Sequence, residues 1–175
     1  MNLHASRALS AQPAPPLATP PGVALTPYLA TLSLIERLHR LLLDLIKDEF
    51  ERLAILDINA VQALILFHIA DMEVTAGELR SRGFYQGSNV SYNLKKLVEL
   101  GYMHHERCAI DRRSVRVRLT EKGQDLRYVL TALFARQAAG LGKVAMLAED
   151  GALDRINDDL TTLERYWADQ IRYIY

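Results

Sequence analysis

Between Ser88 and Glu99 the chain concentrates side chains suited to reading another molecule by hydrogen bonds. Ser88, Asn89, Ser91 and Tyr92 supply hydroxyl and amide groups, and Lys95 and Lys96 add two cations. At a helical 100° per residue, Val90, Leu94 and Leu97 fall within about 60° of one another, with Val98 on their flank. That arc must face a core. Ser88, Asn89, Tyr92, Lys95, Lys96 and Glu99 then lie on the opposite half, with Ser91 near the edge. Small, amide-bearing and aromatic groups at one end, followed by cations, can contact base edges and phosphates from a DNA major groove. An ordinary surface helix shares part of this character, so the pattern needs a second signal.

Charge supplies one. Lys+Arg and Asp+Glu both number 21, so the chain is neutral overall. Residues 75–123 nevertheless hold ten basic side chains (Arg80, Arg82, Lys95, Lys96, Arg107, Arg112, Arg113, Arg116, Arg118 and Lys122) against five acids, Glu78, Glu99, Glu106, Asp111 and Glu121. His104 and His105 can add charge at lower pH. A basic centre between acidic ends is the footprint of a polyanion-binding module on a carrier. A solvated strand face explains Arg116 and Arg118, but less easily the basic residues of helix and hairpin together.

Other chemistries fit poorly. His104-His105-x-x-Cys108 offers metal-ligand types, but adjacent histidines on a strand point to opposite faces and cannot share one metal with Cys108 without distortion. No Gly-rich phosphate loop, nucleophile elbow or paired-carboxylate site occurs, so no catalytic residue, metal site or cofactor is expected, and the chain is not expected to be an enzyme. Cys108 is the single cysteine. It excludes an internal disulfide framework and fits a reducing cytosol. Arg107 and Arg112 beside it would favour its thiolate, which leaves a redox-sensing alternative.

The elements that must position these groups follow from periodicity. All six prolines lie within the first 27 residues, and residues 1–26 are expected to form a disordered or polyproline-like arm. Residues 27–175 hold the folded domain. From about 28 to 53, Leu34/Ile35, Leu38, Leu41/Leu42, Leu45/Ile46, Phe50 and Leu53 recur at three-to-four spacing opposite a charged face. Leu153, Ile156, Leu160, Leu163, Trp167, Ile171 and Ile174 repeat the feature at the C-terminus. Two such helices at opposite ends of a small chain point to a dimer interface; packing on each other within one monomer is the alternative.

Asn59 to Gln62 and Thr75 to Glu78 each place a cap residue three before Gln or Glu, predicting helices at about 59–70 and 75–82. Gly83 and Gly87 bracket a turn, and Ser88 caps a helix of about 88–100 that Gly101 stops. Tyr102 to Arg107 and the alternating Val115, Val117 and Leu119 predict a two-stranded hairpin. Thr120 then caps a helix to about Leu147. The fold is mainly α with a small β-wing: a winged helix-turn-helix core of about 56–120, flanked by candidate dimerisation helices at about 28–53 and 121–175. Apolar stretches such as Val61 to Ile69 are too short to span a bilayer, and no signal pattern opens the chain. A cytoplasmic protein with no membrane partner is expected.

The run Asp111-Arg112-Arg113-Ser114-Val115-Arg116-Val117-Arg118-Leu119-Thr120-Glu121-Lys122-Gly123 closely resembles the wing strand and helix cap of MarR-type winged-helix regulators. Ser88 through Leu97, then Gly101-Tyr102, resembles their recognition helix and the step into the wing, and Gln62 falls where that family has Gln. The stretch Gly87 to Gly101 is also similar to an alphaproteobacterial subgroup typified by LdtR. The resemblance implies a homodimer built from the terminal helices, with two lobes straddling a pseudo-palindrome in double-stranded DNA. It implies that Arg113 enters the minor groove, with Arg112 as the substitute and Asp111 orienting Arg113. It further implies a repressor that releases DNA when a small aromatic or phenolic effector lodges between the dimer helices and the DNA lobe. His39, Phe67, His68 and Tyr128 are the ring-bearing candidates for that crevice, although each also fits an ordinary packing role. Two features depart from the family. The wing tip Cys108-Ala109-Ile110 lacks the usual turn chemistry, and Tyr92 stands where a basic residue is common. The rival function is a winged-helix module that binds protein, in which charge reversal at Lys95, Lys96 and Arg113 would leave binding intact.

Overall fold

The computed structural model describes residues 24–69, 74–75, 88–107, 115–144 and 147–174. The elements are α1 (Leu25–Arg52), α2 (Ala60–Ile69), β1 (Val74–Thr75), α3 (Ser88–Glu99), β2 (Met103–Arg107), β3 (Val115–Leu119), α4 (Glu121–Leu141) and α5 (Ala152–Ile174). The chain divides into two compact units between Leu42 and Leu43, inside α1. Residues 1–23 of the expected arm, residues 76–82 of the expected helix, and the wing tip with Cys108, Arg112 and Arg113 lie outside the described residues.

In the first unit, the early part of α1 carries Leu25, Leu29, Leu34, Leu38 and Leu41 exposed along its length. The helix begins at Leu25 rather than after Pro27. Proline in a first helical turn forfeits no intrahelical hydrogen bond, so Pro27 is accommodated.

The second unit contains the core. Ile46 and Phe50 of α1, Ile65, Leu66 and Ile69 of α2, and Leu126, Leu130 and Leu133 of α4 are buried. They meet Val90, Leu94 and Leu97 of α3, and Met103, Val117 and Leu119 of the sheet, which are buried as well. The helix predicted from Asn59 is present with its reciprocal cap. The Gln62 amide N–H donates to Asn59 Oδ1 at 2.9 Å, and the Asn59 amide N–H donates to Gln62 Oε1 at 3.2 Å. Gln62 is buried, and this exchange meets its polar end.

The sheet differs from the expected hairpin in having a third strand. Its order is β1-β3-β2, all antiparallel, with Val74 opposite Val117 and Thr75 opposite Arg116. Thr75, expected as a helix cap, therefore lies in a strand. A two-residue strand has no periodicity of its own, so its pairing was invisible in sequence. On the other side of β3, Met103 faces Leu119 and His105 faces Val117.

Helix α4 also ends earlier than expected, at Leu141 rather than about Leu147. Gly142 caps it, and its N–H donates to the Ala138 carbonyl. Apolar residues continue at Val144 and Leu147, but glycines at 140 and 142 weaken the helix there. On α5, Leu153, Ile156, Leu160 and Ile171 are exposed, and Leu163 and Trp167 are half-buried.

Candidate nucleic-acid interface

Helix α3 is oriented by its apolar arc. Val90 and Leu97 have no exposed surface and Leu94 is 6% exposed. Burying three such side chains stabilises the orientation by about 1.5–3 kcal/mol each. The opposite face is thereby turned outward. Ser91, Tyr92, Lys95 and Glu99 are exposed, and Asn93, Lys96 and Val98 are half-buried. Ser88 and Asn89 occupy the first turn of α3, with their side chains outside the described residues. Glu99 accepts a hydrogen bond from Lys96 Nζ at 3.3 Å and forms a looser ion pair with Lys95 Nζ at 3.9 Å. Exposed pairs of this kind are worth under about 1 kcal/mol. A DNA phosphate can therefore draw either lysine away at small cost.

The sheet follows the alternation read from sequence. Val117 and Leu119 are buried and Arg116 and Arg118 exposed, so the outer face of β3 is cationic. His104, opposite Arg118, and His105 are both exposed on β2.

The junction between α3, β2 and α4 is built from the residues of the Leu-Thr-x-x-Gly run. Thr120 Oγ1 accepts from the Gly123 amide at 3.1 Å and donates to the Gly101 carbonyl at 2.7 Å. One hydroxyl thus caps α4 and ties it to the end of α3. The Thr120 amide donates to the Tyr102 carbonyl at 3.1 Å. Gly101 has φ +76°, a left-handed conformation that glycine adopts without steric cost. Gly123 serves a different purpose. A Cβ placed on it would lie 2.2 Å from the Tyr102 carbonyl oxygen, so only glycine lets α4 start this close to β2.

Asp57, which no local sequence pattern marks, completes the junction. Its Oδ1 accepts from the Tyr102 hydroxyl at 2.8 Å, and its Oδ2 from Lys122 Nζ at 2.8 Å. Lys122 Nζ also donates to the Leu100 carbonyl at 3.0 Å and lies 4.0 Å from the Tyr102 ring centroid. The Lys122 hydrogen bond, aided by that of Tyr102, holds the Asp57 carboxyl below its ordinary range. Burial, then Asp57 itself, pushes the Tyr102 phenol up. At neutral pH the arrangement is a carboxylate gripping a neutral phenol and an ammonium.

A second unanticipated cluster braces α1 against α4. Glu49 is buried and accepts from Arg52 Nε at 2.9 Å, from Arg52 Nη2 at 2.7 Å, and from Arg136 across the interface. The Arg52 hydrogen bonds, joined by Arg136, hold the Glu49 carboxyl at about 2.

Two of the four ring-bearing candidates, Phe67 and His68, adjoin each other. Phe67 packs edge-on against Phe134, with centroids 5.1 Å apart, and against His68 at 6.0 Å. Burial lowers the pKa of His68. Tyr128 is 71% exposed. His39 is exposed in the first unit. A cavity of about 620 Å³ elsewhere is lined by Leu43, Phe50, Ile58, Tyr92 and Asn93, among others, and by none of the four.

An outward polar helix locked over a small sheet is the architecture of winged-helix DNA-binding proteins, and a profile described as a winged helix DNA-binding domain matches residues 58–123. Over 155 residues the chain is 36% identical to the exopolysaccharide II synthesis transcriptional activator ExpG of Rhizobium meliloti (strain 1021), spanning 86% of this chain and 76% of that one. Among solved structures it resembles a MarR family regulator from Listeria monocytogenes complexed with 26mer DNA (TM-score 0.70, 19% identity, 82% of this chain and 92% of that one). It also resembles the transcriptional regulator SlyA (TM-score 0.67, 17% identity, 83% and 99%) and a MarR regulator from Methanosarcina mazei Go1 (TM-score 0.63, 22% identity, 78% and 95%). The chain belongs to the MarR family. It is a transcriptional regulator with a winged-helix DNA-binding domain, and its relatives are regulators rather than enzymes. Among the described residues, no helix is long and apolar enough to cross a membrane.

Proposed function

We propose that the protein is a homodimeric, sequence-specific regulator whose paired α3 helices read successive major grooves of a pseudo-palindromic operator. The observation that carries this is the outward face of α3, where Ser91, Tyr92 and Lys95 stand exposed above a buried Val90, Leu94 and Leu97. In this reading Ser88, Asn89, Ser91 and Tyr92 meet base edges and Lys95 and Lys96 meet phosphates. Arg113, or Arg112 in its place, enters the flanking minor groove. The exposed apolar residues of early α1 and of α5 support dimerisation through the terminal helices, because a monomer would leave both stripes in water.

Release by a small aromatic or phenolic effector completes the reading. The cavity beside Tyr92 and Asn93 supports it, since an occupant there would touch α3 directly. A coupling of about 1–3 kcal/mol is enough to lower operator affinity severalfold to a hundredfold. Repression is the proposed mode. Activation is the second reading, favoured by the Rhizobium relative, which is an activator.

Selection of bound duplexes from a random DNA pool at near-physiological salt tests the proposal. Enrichment of an inverted repeat with half-sites about 10 bp apart is the expected result. Unenriched sequence, with binding that vanishes at moderate salt, would overturn it in favour of a protein-binding module.

A further inference from the structure

We propose that Asp57 is a positioning residue for DNA recognition: by gripping Tyr102 and Lys122 together it fixes the tilt of α3 on α4, and so the half-site spacing that the dimer accepts. The inference rests on the dimeric operator-binding reading above and adds to it a residue that touches no DNA.

Three segments distant in sequence converge on one carboxylate. Asp57 belongs to the loop between α1 and α2, Tyr102 follows the end of α3, and Lys122 lies in the first turn of α4. The two oxygens are divided between the two partners, each at 2.8 Å. Lys122 reaches back to the Leu100 carbonyl at the C-terminal end of α3, so the ammonium grips α3 as well as Asp57. The side chains of Asp57 and Lys122 are 45% and 48% exposed. A pair that open to water adds little cohesion, and the core beneath is already sealed by Leu97 and Met103. What the grip adds is direction.

The lever arm makes direction matter. Twelve residues of α3 span about 18 Å. The grip is at the C-terminal end, and the residues proposed to read bases are at the N-terminal end. A pivot of about 10° at the grip therefore carries the reading end roughly 3 Å, close to the ~3.4 Å rise of one base pair. In a two-fold dimer both helices pivot, and the spacing error doubles.

The test uses the full-length protein and duplexes built from its selected operator, with half-site separation changed by one base pair in either direction. Wild type is expected to bind its preferred spacing about tenfold more tightly than either neighbour. Asp57→Asn, which keeps the shape and removes the charge, is expected to reduce that discrimination to about threefold or less, while base preferences within each half-site stay as they were. Tyr102→Phe, which removes only the hydroxyl, should move discrimination the same way by less. Asp57→Asn/Lys122→Met should be no worse than the poorer single variant, because both break one unit. A merely structural or electrostatic role would weaken all three spacings by one factor, and that result overturns the proposal. Undiminished discrimination in both Asp57→Asn and Tyr102→Phe overturns it too. A wild-type protein indifferent to spacing would instead overturn the dimeric reading beneath it.

Discussion

Replacing Gly123 by alanine tests the account of the α3–β2–α4 junction most directly. The added Cβ would stand 2.2 Å from the Tyr102 carbonyl oxygen and 3.3 Å from Leu119 Cβ, whereas ordinary contacts begin at 3.4 Å. About 1 Å of separation must therefore be opened, at an overpacking cost of about 1–3 kcal/mol. The carbonyl cannot retreat freely, because it holds the Thr120 amide at 3.1 Å. Losing that bond adds about 1 kcal/mol. The sum, about 2–4 kcal/mol, corresponds to a fall in Tm of roughly 5–15 °C for a chain of this size. Gly140→Ala is the control. Its Cβ meets nothing within 4 Å, on the same helix. That exchange should stabilise by up to about 1 kcal/mol through helix propensity alone. Both variants would be melted by circular dichroism at one fixed protomer concentration, since the proposed dimerisation would make Tm concentration-dependent. Opposite shifts are expected. A Gly123→Ala protein melting within about 2 °C of wild type would refute the close-approach argument.

Two further outcomes are expected. Glu49 has a folded pKa depressed to about 2 from an ordinary 4.5, so its stabilising contribution is complete above about pH 4.5 and disappears as pH falls toward 2. Glu49→Gln should be less stable than wild type at pH 7, and the difference in urea midpoint should narrow steadily from pH 5 to pH 2.5; a constant difference would mean that the arginine pairs are not its source. Ile156→Asp/Leu160→Asp places two charges on the exposed stripe of α5 and should leave particles of 19.8 kDa in light scattering where wild type gives about twice that mass. Retention of the doubled mass would move the dimer contact away from α5.

Several local patterns in the sequence hold where the structure describes them. The arc Val90, Leu94, Leu97 turned inward as its spacing demanded, and Val117 and Leu119 alternated with Arg116 and Arg118 as a half-exposed strand should. The Asn59–Gln62 cap formed with both hydrogen bonds, because all its atoms lie within one helical turn. What escaped notice were partnerships across long separations. Tyr102 lies 45 residues from Asp57, Lys122 lies 65 from it, and Arg136 lies 87 from Glu49. No periodicity reaches that far, and an isolated Asp before a helix looks like any loop residue. The strand Val74–Thr75 was hidden for the related reason that its existence depends on β3, more than 40 residues away. The expected continuation of α4 to Leu147 failed on competing local terms, with Val144 and Leu147 extending an apolar pattern that glycines at 140 and 142 had already interrupted.

The central place of β3 bears on how copies of the regulator behave when crowded together. Arg116 and Val117 have neighbours on both sides, one in β1 and one in β2, so that stretch of backbone has no vacancy for a visiting strand. β1 is two residues long, too short to template growth. Among the described residues the longer outer edge belongs to β2, whose sequence after Met103 is His, His, Glu and Arg. A strand docking there would have to strip water from the exposed His104 and His105. Regulators accumulate at high local concentration along the DNA they scan. A sheet closed in its middle and guarded at its rim lets neighbouring copies collide without fusing through their backbones.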